Sequence, residues 1–177
     1  MEPHIEKEYK MMLDEAQINR IVEADDALKL NVQDNYYYDL GRDDMAMRIR
    51  DIDGLYVLTI KKRAGDAHEE YEYELPDDNA DNPLITELLK RLGVEQKPIY
   101  LGMLTTSRYT RELEFGEICL DFNKYNGIKD YEIEYELFDH LTNSNQELID
   151  YLAKYHIEYK ENKVSKFKRF LNSRGKQ

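Results

Sequence analysis

Two runs of charge have the spacing of a site. Glu6, Glu8 and Lys10 alternate with Lys7 and Tyr9, and Glu132, Glu134 and Glu136 alternate with Ile133 and Tyr135. On a strand, residues two apart share a face, so each run sets carboxylates side by side. Neighbouring carboxylates resist ionising together unless a cation or protons relieve them, and hard divalent cations take carboxylate oxygens. Basic residues alternate in the same way: Arg48 with Arg50, and Lys61 with Thr59. Such side chains neutralise phosphate oxygens, arginine bidentately. If these faces line one interior, they suit a ligand that needs both signs, a polyphosphate with its divalent cations.

The elements that must position these residues are mostly strands. Alternation marks Ile5–Met11, Ala46–Asp51, Leu55–Lys62, Glu70–Leu75 and Tyr131–Leu137. Arg108–Phe115, Glu117–Phe122, Tyr36–Leu40 and Lys97–Leu101 complete about eight strands. Asp53-Gly54 and Asn126-Gly127 have the chemistry of tight hairpin turns, and Gly116 divides two further strands, so the sheet is mostly antiparallel. The polar faces have two readings. An open sheet would solvate them; a closed barrel would turn them into a lumen where both signs must be compensated.

Helices are fewer. Asp14 with Gln17 forms a capping box, and Leu13 with Ile18 a staple. Asn82-Pro83 opens a helix over Leu84–Leu92 that Gly93 stops. Ser144 with Glu147 reads as a second capping box, ahead of Leu148, Leu152 and Tyr155. Val164, Phe167 and Leu171 have helical spacing, and Ser173–Gln177 reads as a frayed tail.

The 177-residue chain fits one domain, here taken as residues 1–177. A formal charge of −12 argues against general nucleic-acid or anionic-membrane binding. Cys119 is the one cysteine, which fits a reducing compartment. Neither an apolar run of membrane-spanning length nor an apolar leader is present, so a cytoplasmic location is expected. No Walker-type loop occurs, and the histidines lack metal-ligand spacing.

Glu6-Lys7-Glu8-Tyr9-Lys10 resembles the Glu-x-Glu-x-Lys signature of the CYTH superfamily, the triphosphate tunnel metalloenzymes. Tyr37-Tyr38-Asp39, Arg48-Ile49-Arg50, Thr59-Ile60-Lys61, Glu70-Tyr71-Glu72, Thr106-Ser107-Arg108, Leu120-Asp121, Glu132-Ile133-Glu134 and Ser165-Lys166-Phe167 follow in order. The later part resembles the uncharacterised branch common in Gram-positive bacteria. The resemblance implies an α+β fold, an eight-stranded antiparallel barrel with flanking helices. It implies Glu6, Glu8, Asp121, Glu132 and Glu134 as metal ligands for Mg2+ or Mn2+, with Glu70 or Glu72 as a further acidic position. It implies Lys10, Arg48, Arg50, Lys61, Arg108 and Lys166 as phosphate-binding residues, with Lys163 as a substitute for Lys166. Glu6, Glu8, Lys10, Glu132 and Glu134 are the expected catalytic set.

The implied activity is hydrolysis of a small triphosphate: inorganic triphosphate, a nucleoside triphosphate or thiamine triphosphate. A class IV-type adenylyl cyclase and a non-catalytic polyphosphate- or nucleotide-binding module are the alternatives, and a homodimer is compatible with any of them. Strand parity adds one expectation. Arg108 and Arg111 differ by an odd number of positions, so Arg108 should face the lumen and Arg111 the outer wall, lying past Phe115.

Overall fold

A computed structural model describes residues 2–175. Its strands are β1 (His4–Glu6), β2 (Glu8–Leu13), β3 (Lys29–Asp39), β4 (Met45–Ile52), β5 (Leu55–Ala64), β6 (Ala67–Leu75), β7 (Ile99–Glu112), β8 (Gly116–Tyr125) and β9 (Ile128–Leu137). The helices are α1 (Glu15–Ala24), α2 (Pro83–Arg91), α3 (Gln146–Ala153) and α4 (Lys166–Ser173).

All nine strands form one antiparallel sheet in the order β1-β6-β5-β4-β3-β7-β8-β9-β2. The two edge strands, β1 and β2, are consecutive in the chain and separated only by Lys7. Residues 4–6 pair with β6, and residues 8–13 pair with β9. One kinked N-terminal stretch therefore brings both sheet edges together, leaving a nearly closed barrel. The eight strands of the barrel that the resemblance implies become nine because the stretch from Ile5 breaks at Lys7, whose carbonyl accepts from the Leu137 amide at 3.0 Å. Two expected strands, Lys97–Leu101 and Arg108–Phe115, merge into the 14-residue β7. Tyr36–Leu40 is the end of the longer β3.

The turn residues act as their chemistry dictates. Asp53 and Gly54 have φ of 53° and 82°, and Asn126 and Gly127 have 49° and 77°. Positive φ at both central positions is the geometry that suits twisted hairpins. These turns, with residues 113–115 before Gly116, set the registers that align the charged faces.

Apolar faces point outward and are covered by helices. Met11, Leu13, Ile118, Leu120, Ile133 and Tyr135 pack beneath Ile18 and Ile21 of α1 and Leu148 and Leu152 of α3. Met47, Ile49, Leu58 and Ile60 pack beneath Ile85, Leu88 and Leu89 of α2. Each such side chain contributes roughly 1.5–3 kcal/mol by leaving water. The capping box at Asp14 and Gln17 forms, and Asn82 caps α2 through the Leu84 amide. The second expected capping box does not form. Asn145 is the N-cap of α3, and Glu147 instead accepts from the Glu114 and Phe115 amides and from the Tyr135 hydroxyl. Glu147 serves as a strap between helix and barrel because the turn after β7 presents bare amides to it.

The last helix differs from the other three. Helix α4 fills one mouth of the barrel: Phe170 packs with Tyr37, Leu104 and Tyr125, and both Phe167 and Phe170 lie 5.1 Å from the Tyr37 ring. Gly102, at φ 141°, faces Phe170 so closely that an added Cβ would stand 2.9 Å from its ring. The pairing of β3 with β7 shifts by one residue beside it, between Tyr37 and Tyr38. Ser173, expected in a frayed tail, is the buried last residue of α4 and accepts from Asn126; Lys176 and Gln177 lie outside the described residues.

Parity places Arg111 on the outer wall as expected. Its guanidinium binds both oxygens of Asp25, at 2.8 and 2.9 Å, and the Tyr151 hydroxyl donates to the same carboxylate at 2.8 Å. The Asp25 carboxylate is buried and held below its ordinary range mainly by these hydrogen bonds, against its desolvation. Arg111→Ala should therefore cost about 1–3 kcal/mol by leaving a buried carboxylate without its charged donor. Thermal melting checks this, and an unchanged Tm would show that Asp25 finds another partner.

Candidate active site

The lumen gathers the charged faces that the strands carry. On β8 and β9, Asp121 lies opposite Glu132 in register, and Cys119 opposite Glu134. On β2, Lys10 lies opposite Glu134 and Glu8 opposite Glu136. On β7, Arg108 lies opposite Asp121. Asp121 and Glu132 are wholly buried, and Lys10 and Glu134 nearly so.

Three carboxylates converge. Asp121, Glu132 and Glu134 each offer an oxygen, and these oxygens lie within 4.8 Å of one another. Cations surround them. Arg108 donates two hydrogen bonds of 2.7 Å to Asp121 and one of 3.3 Å to Glu134. Lys166 lies 2.6 Å from Asp121, 2.8 Å from Glu132 and 2.7 Å from Glu134. Lys10 stands 3.5 Å from both glutamates. These cations hold Glu134 well below, and Asp121 below, the ordinary carboxylate range, although burial alone would raise both. A hard, all-oxygen donor set of this kind fits a divalent cation, and Glu132 Oε1 is buried there without a hydrogen-bond donor.

Glu6 and Glu8 do not join that group. Glu6 pairs with Lys61 at 2.6 Å, and Glu70 reaches the same lysine at 4.0 Å. Glu8 lies 3.9 Å from Lys10, which bridges the two acidic groups. Glu70 and Glu72 differ in burial. Glu70 is buried beside Lys61, whereas Glu72 is exposed and accepts from Thr59. Burial, with the charges of Glu134 and Glu6, pushes Glu8 up to about 7. Glu136 is raised by burial and by Glu6, Glu70 and Glu8.

The opposite wall is different. Arg48 and Arg50 come from β4, and among the described residues no carboxylate oxygen lies within 4 Å of either. The Nε of Arg48 is buried without an acceptor. The Nε of Arg50 donates to the Asn35 side chain at 3.0 Å. Burial, with Arg48 and Arg108 nearby, pulls Arg50 down to about 9.

Two further basic residues, one before α4 and one on it, differ in placement. Lys163 precedes the helix with its side chain 84% exposed, so it does not share the lumen with Lys166. Arg169, unmarked in the sequence reading, enters the mouth instead and pairs with Asp130 at 2.9 Å and Glu132 at 3.2 Å. Its signal was its position one helical turn beyond Lys166. Glu136 and Asp130 also join the lumen, both sharing parity with Glu132 and Glu134. Cys119 is buried and its thiol pushed up, chiefly by desolvation, which suits no nucleophile.

The CYTH domain profile matches residues 4–171. The chain belongs to the CYTH domain family. A Bacillus subtilis (strain 168) relative, "Putative triphosphatase YjbK", is 33% identical over 156 residues, 78% of this chain and 80% of that protein. A Bacillus halodurans crystal structure described as a "putative adenylate cyclase" superposes with a TM-score of 0.75 and 26% identity, covering 96% of this chain and 99% of that one. A Hippeastrum structure, described as a "putative adenylyl cyclase" with a dominant triphosphatase activity, has a TM-score of 0.73 and 23% identity over 97% of this chain and 96% of that one. These CYTH neighbours share the barrel along nearly the whole chain.

The raised Glu8 carboxylate has a consequence for pH. Between its ordinary 4.5 and about 7, the folded chain keeps a proton that the unfolded chain has lost. Stability from this group is therefore fully present below the lower value and is lost as pH rises through the window. Glu136 acts in the same direction, and His68, depressed by burial, acts against it. In chelator, Glu8→Gln should flatten the fall in Tm between about pH 5 and pH 7.5 relative to the parent. Parallel curves would show that Glu8 ionises normally.

Proposed function

We infer that this chain is a metal-dependent triphosphatase, a hydrolase of the phosphoanhydride bonds in a small triphosphate held in the lumen. One observation carries the reading: Arg48 and Arg50 stand without carboxylate partners, in the same lumen as the converging Asp121, Glu132 and Glu134. Crowded arginines without counter-charges favour an anion, and converging carboxylates favour a cation. A metal triphosphate supplies both at once.

In this reading Arg48, Arg50, Arg108 and Lys61 hold phosphate oxygens in line and offset the charge that shifts toward the leaving oxygen. Mg2+ or Mn2+ on Asp121, Glu132 and Glu134 supplies Lewis-acid charge neutralisation when bound. Glu6 and Glu8 lie beside this set and are placed to orient water or take its proton. The water oxygen bonds to the terminal phosphorus as the bond to the bridging oxygen breaks, giving phosphate and the shortened diphosphate. The triphosphatase names of the Bacillus subtilis and Hippeastrum relatives support this assignment.

An adenylyl cyclase is the second reading, supported by the description of the Bacillus halodurans protein. That reaction must also grip a nucleoside. The α4 mouth is filled by its own aromatic residues, with Phe170 and Leu104 wholly buried and Tyr37 nearly so. While α4 is docked, that packing favours the hydrolase.

Phosphate release from inorganic triphosphate, ATP and thiamine triphosphate, with Mg2+ or Mn2+, tests the function. Chelator should abolish release, and Arg108→Ala should lower kcat/KM by about 100-fold or more, as loss of a charge-stabilising donor does. Arg111→Ala should stay within a few-fold of the parent at temperatures where it remains folded. Full activity in excess chelator, or cyclic nucleotide as the main product, would overturn the assignment.

A further inference from the structure

We propose that Lys166 is an internal counter-ion that holds the place of the divalent cation, so that cation binding and the docking of α4 compete. The inference rests on the metal reading of Asp121, Glu132 and Glu134 given above. The Lys166 ammonium is 2.6, 2.8 and 2.7 Å from one oxygen of each of those three side chains. The ammonium donates hydrogen bonds to Asp121 and Glu134, while the Glu132 Oε1 beside it is buried without a hydrogen-bond donor, so the lysine fills the place without satisfying all three carboxylates. Those three side chains are also the ones whose oxygens converge within 4.8 Å. A hard cation needs the same oxygens at about 2.0–2.2 Å, so it and the ammonium cannot occupy the group together.

The helix that carries Lys166 is short and follows an irregular segment. It has eight residues, and residues 157–165 before it have no regular secondary structure. The Asn162 amide is tied to the Lys10 carbonyl at 2.8 Å, which leaves Lys163 to Ser165 as the hinge. Beyond the hinge, α4 is held by Phe170 in the aromatic mouth and by Arg169 on Asp130 and Glu132. Lys166 and Arg169 together bring two positive charges to the acidic group, the charge of one divalent cation. In the cation-free chain this pair offsets carboxylate repulsion; with a cation bound, Lys166 is released toward phosphate oxygens.

Mn2+ titration without substrate, followed by the electron paramagnetic resonance of free Mn2+, is the test. Lys166→Gln should bind Mn2+ about tenfold more tightly or better, within the usual range of coupling between competing sites. Lys10→Gln, which removes an ammonium 3.5 Å from two of the same carboxylates, should gain clearly less. In the parent, Mn2+ should speed hydrogen exchange at the α4 amides, a reading that needs no variant to fold. Unchanged or weaker Mn2+ binding by Lys166→Gln, an equal gain in Lys10→Gln, or α4 exchange indifferent to Mn2+ would overturn the competition. If the parent binds Mn2+ and these differences are missing, only this inference fails. If neither parent nor variant binds Mn2+, the metal reading fails with it.

Discussion

The burial of many charges in one lumen is the constraint on which the rest of the structure depends. Removing a single ion from water costs several kcal/mol even after relaxation, and pairing offsets this only when geometry and hydrogen bonds are good. Here the offsetting is local and uneven. Asp121, Glu132 and Glu134 are crowded by Arg108, Lys10, Lys166 and Arg169. Glu6, Glu8, Glu70 and Glu136 share Lys61 and the far side of Lys10, and burial together with the neighbouring carboxylates raises Glu8 and Glu136. Arg48 and Arg50 have no carboxylate at all within ion-pair distance among the described residues. Such an arrangement is a poor way to gain stability and a good way to prepare for a ligand carrying both signs.

The scaffold is shaped by the need to hold those charges in register. Positive-φ turns at Asp53-Gly54 and Asn126-Gly127 align β4 with β5 and β8 with β9. A slip of one residue in either hairpin would send its charges to the apolar wall. The helices α1, α2 and α3 cover that wall and bury its apolar side chains against their own. The break at Lys7 lets one stretch of chain serve both edges of the sheet, so that Glu6 and Glu8 meet different neighbours although they are two residues apart.

Much of this was legible in the alternation of the chain. Parity placed Arg108 inside and Arg111 outside, and the turn residues marked two hairpins correctly. The ordered motif series pointed to the family and to most of the lumen side chains. What alternation reports is a face, not a position around the ring. It could not tell that Glu6 and Glu8 would group with Glu70 and Glu136 while Asp121 joined Glu132 and Glu134. Glu70 and Glu72 have the same parity, and only their depth in the barrel separates them. The split at Lys7 carries no turn signal. The entry of α4 into the mouth depends on Tyr37, an aromatic residue on an otherwise polar inner face, meeting Phe167 and Phe170 from the far end of the chain. Arg169 was missed for the same reason, since its partners are fixed by docking rather than by spacing.

The lumen as a binding site for a metal triphosphate is the claim on which the chemistry rests. Crystals soaked with Mn2+ and inorganic triphosphate, with data collected for manganese anomalous scattering, test it directly. The expected result is an anomalous peak among Asp121, Glu132 and Glu134, with phosphate density against Arg48 and Arg50. Triphosphate bound only on the outer surface, or an anomalous peak away from these carboxylates, would contradict it.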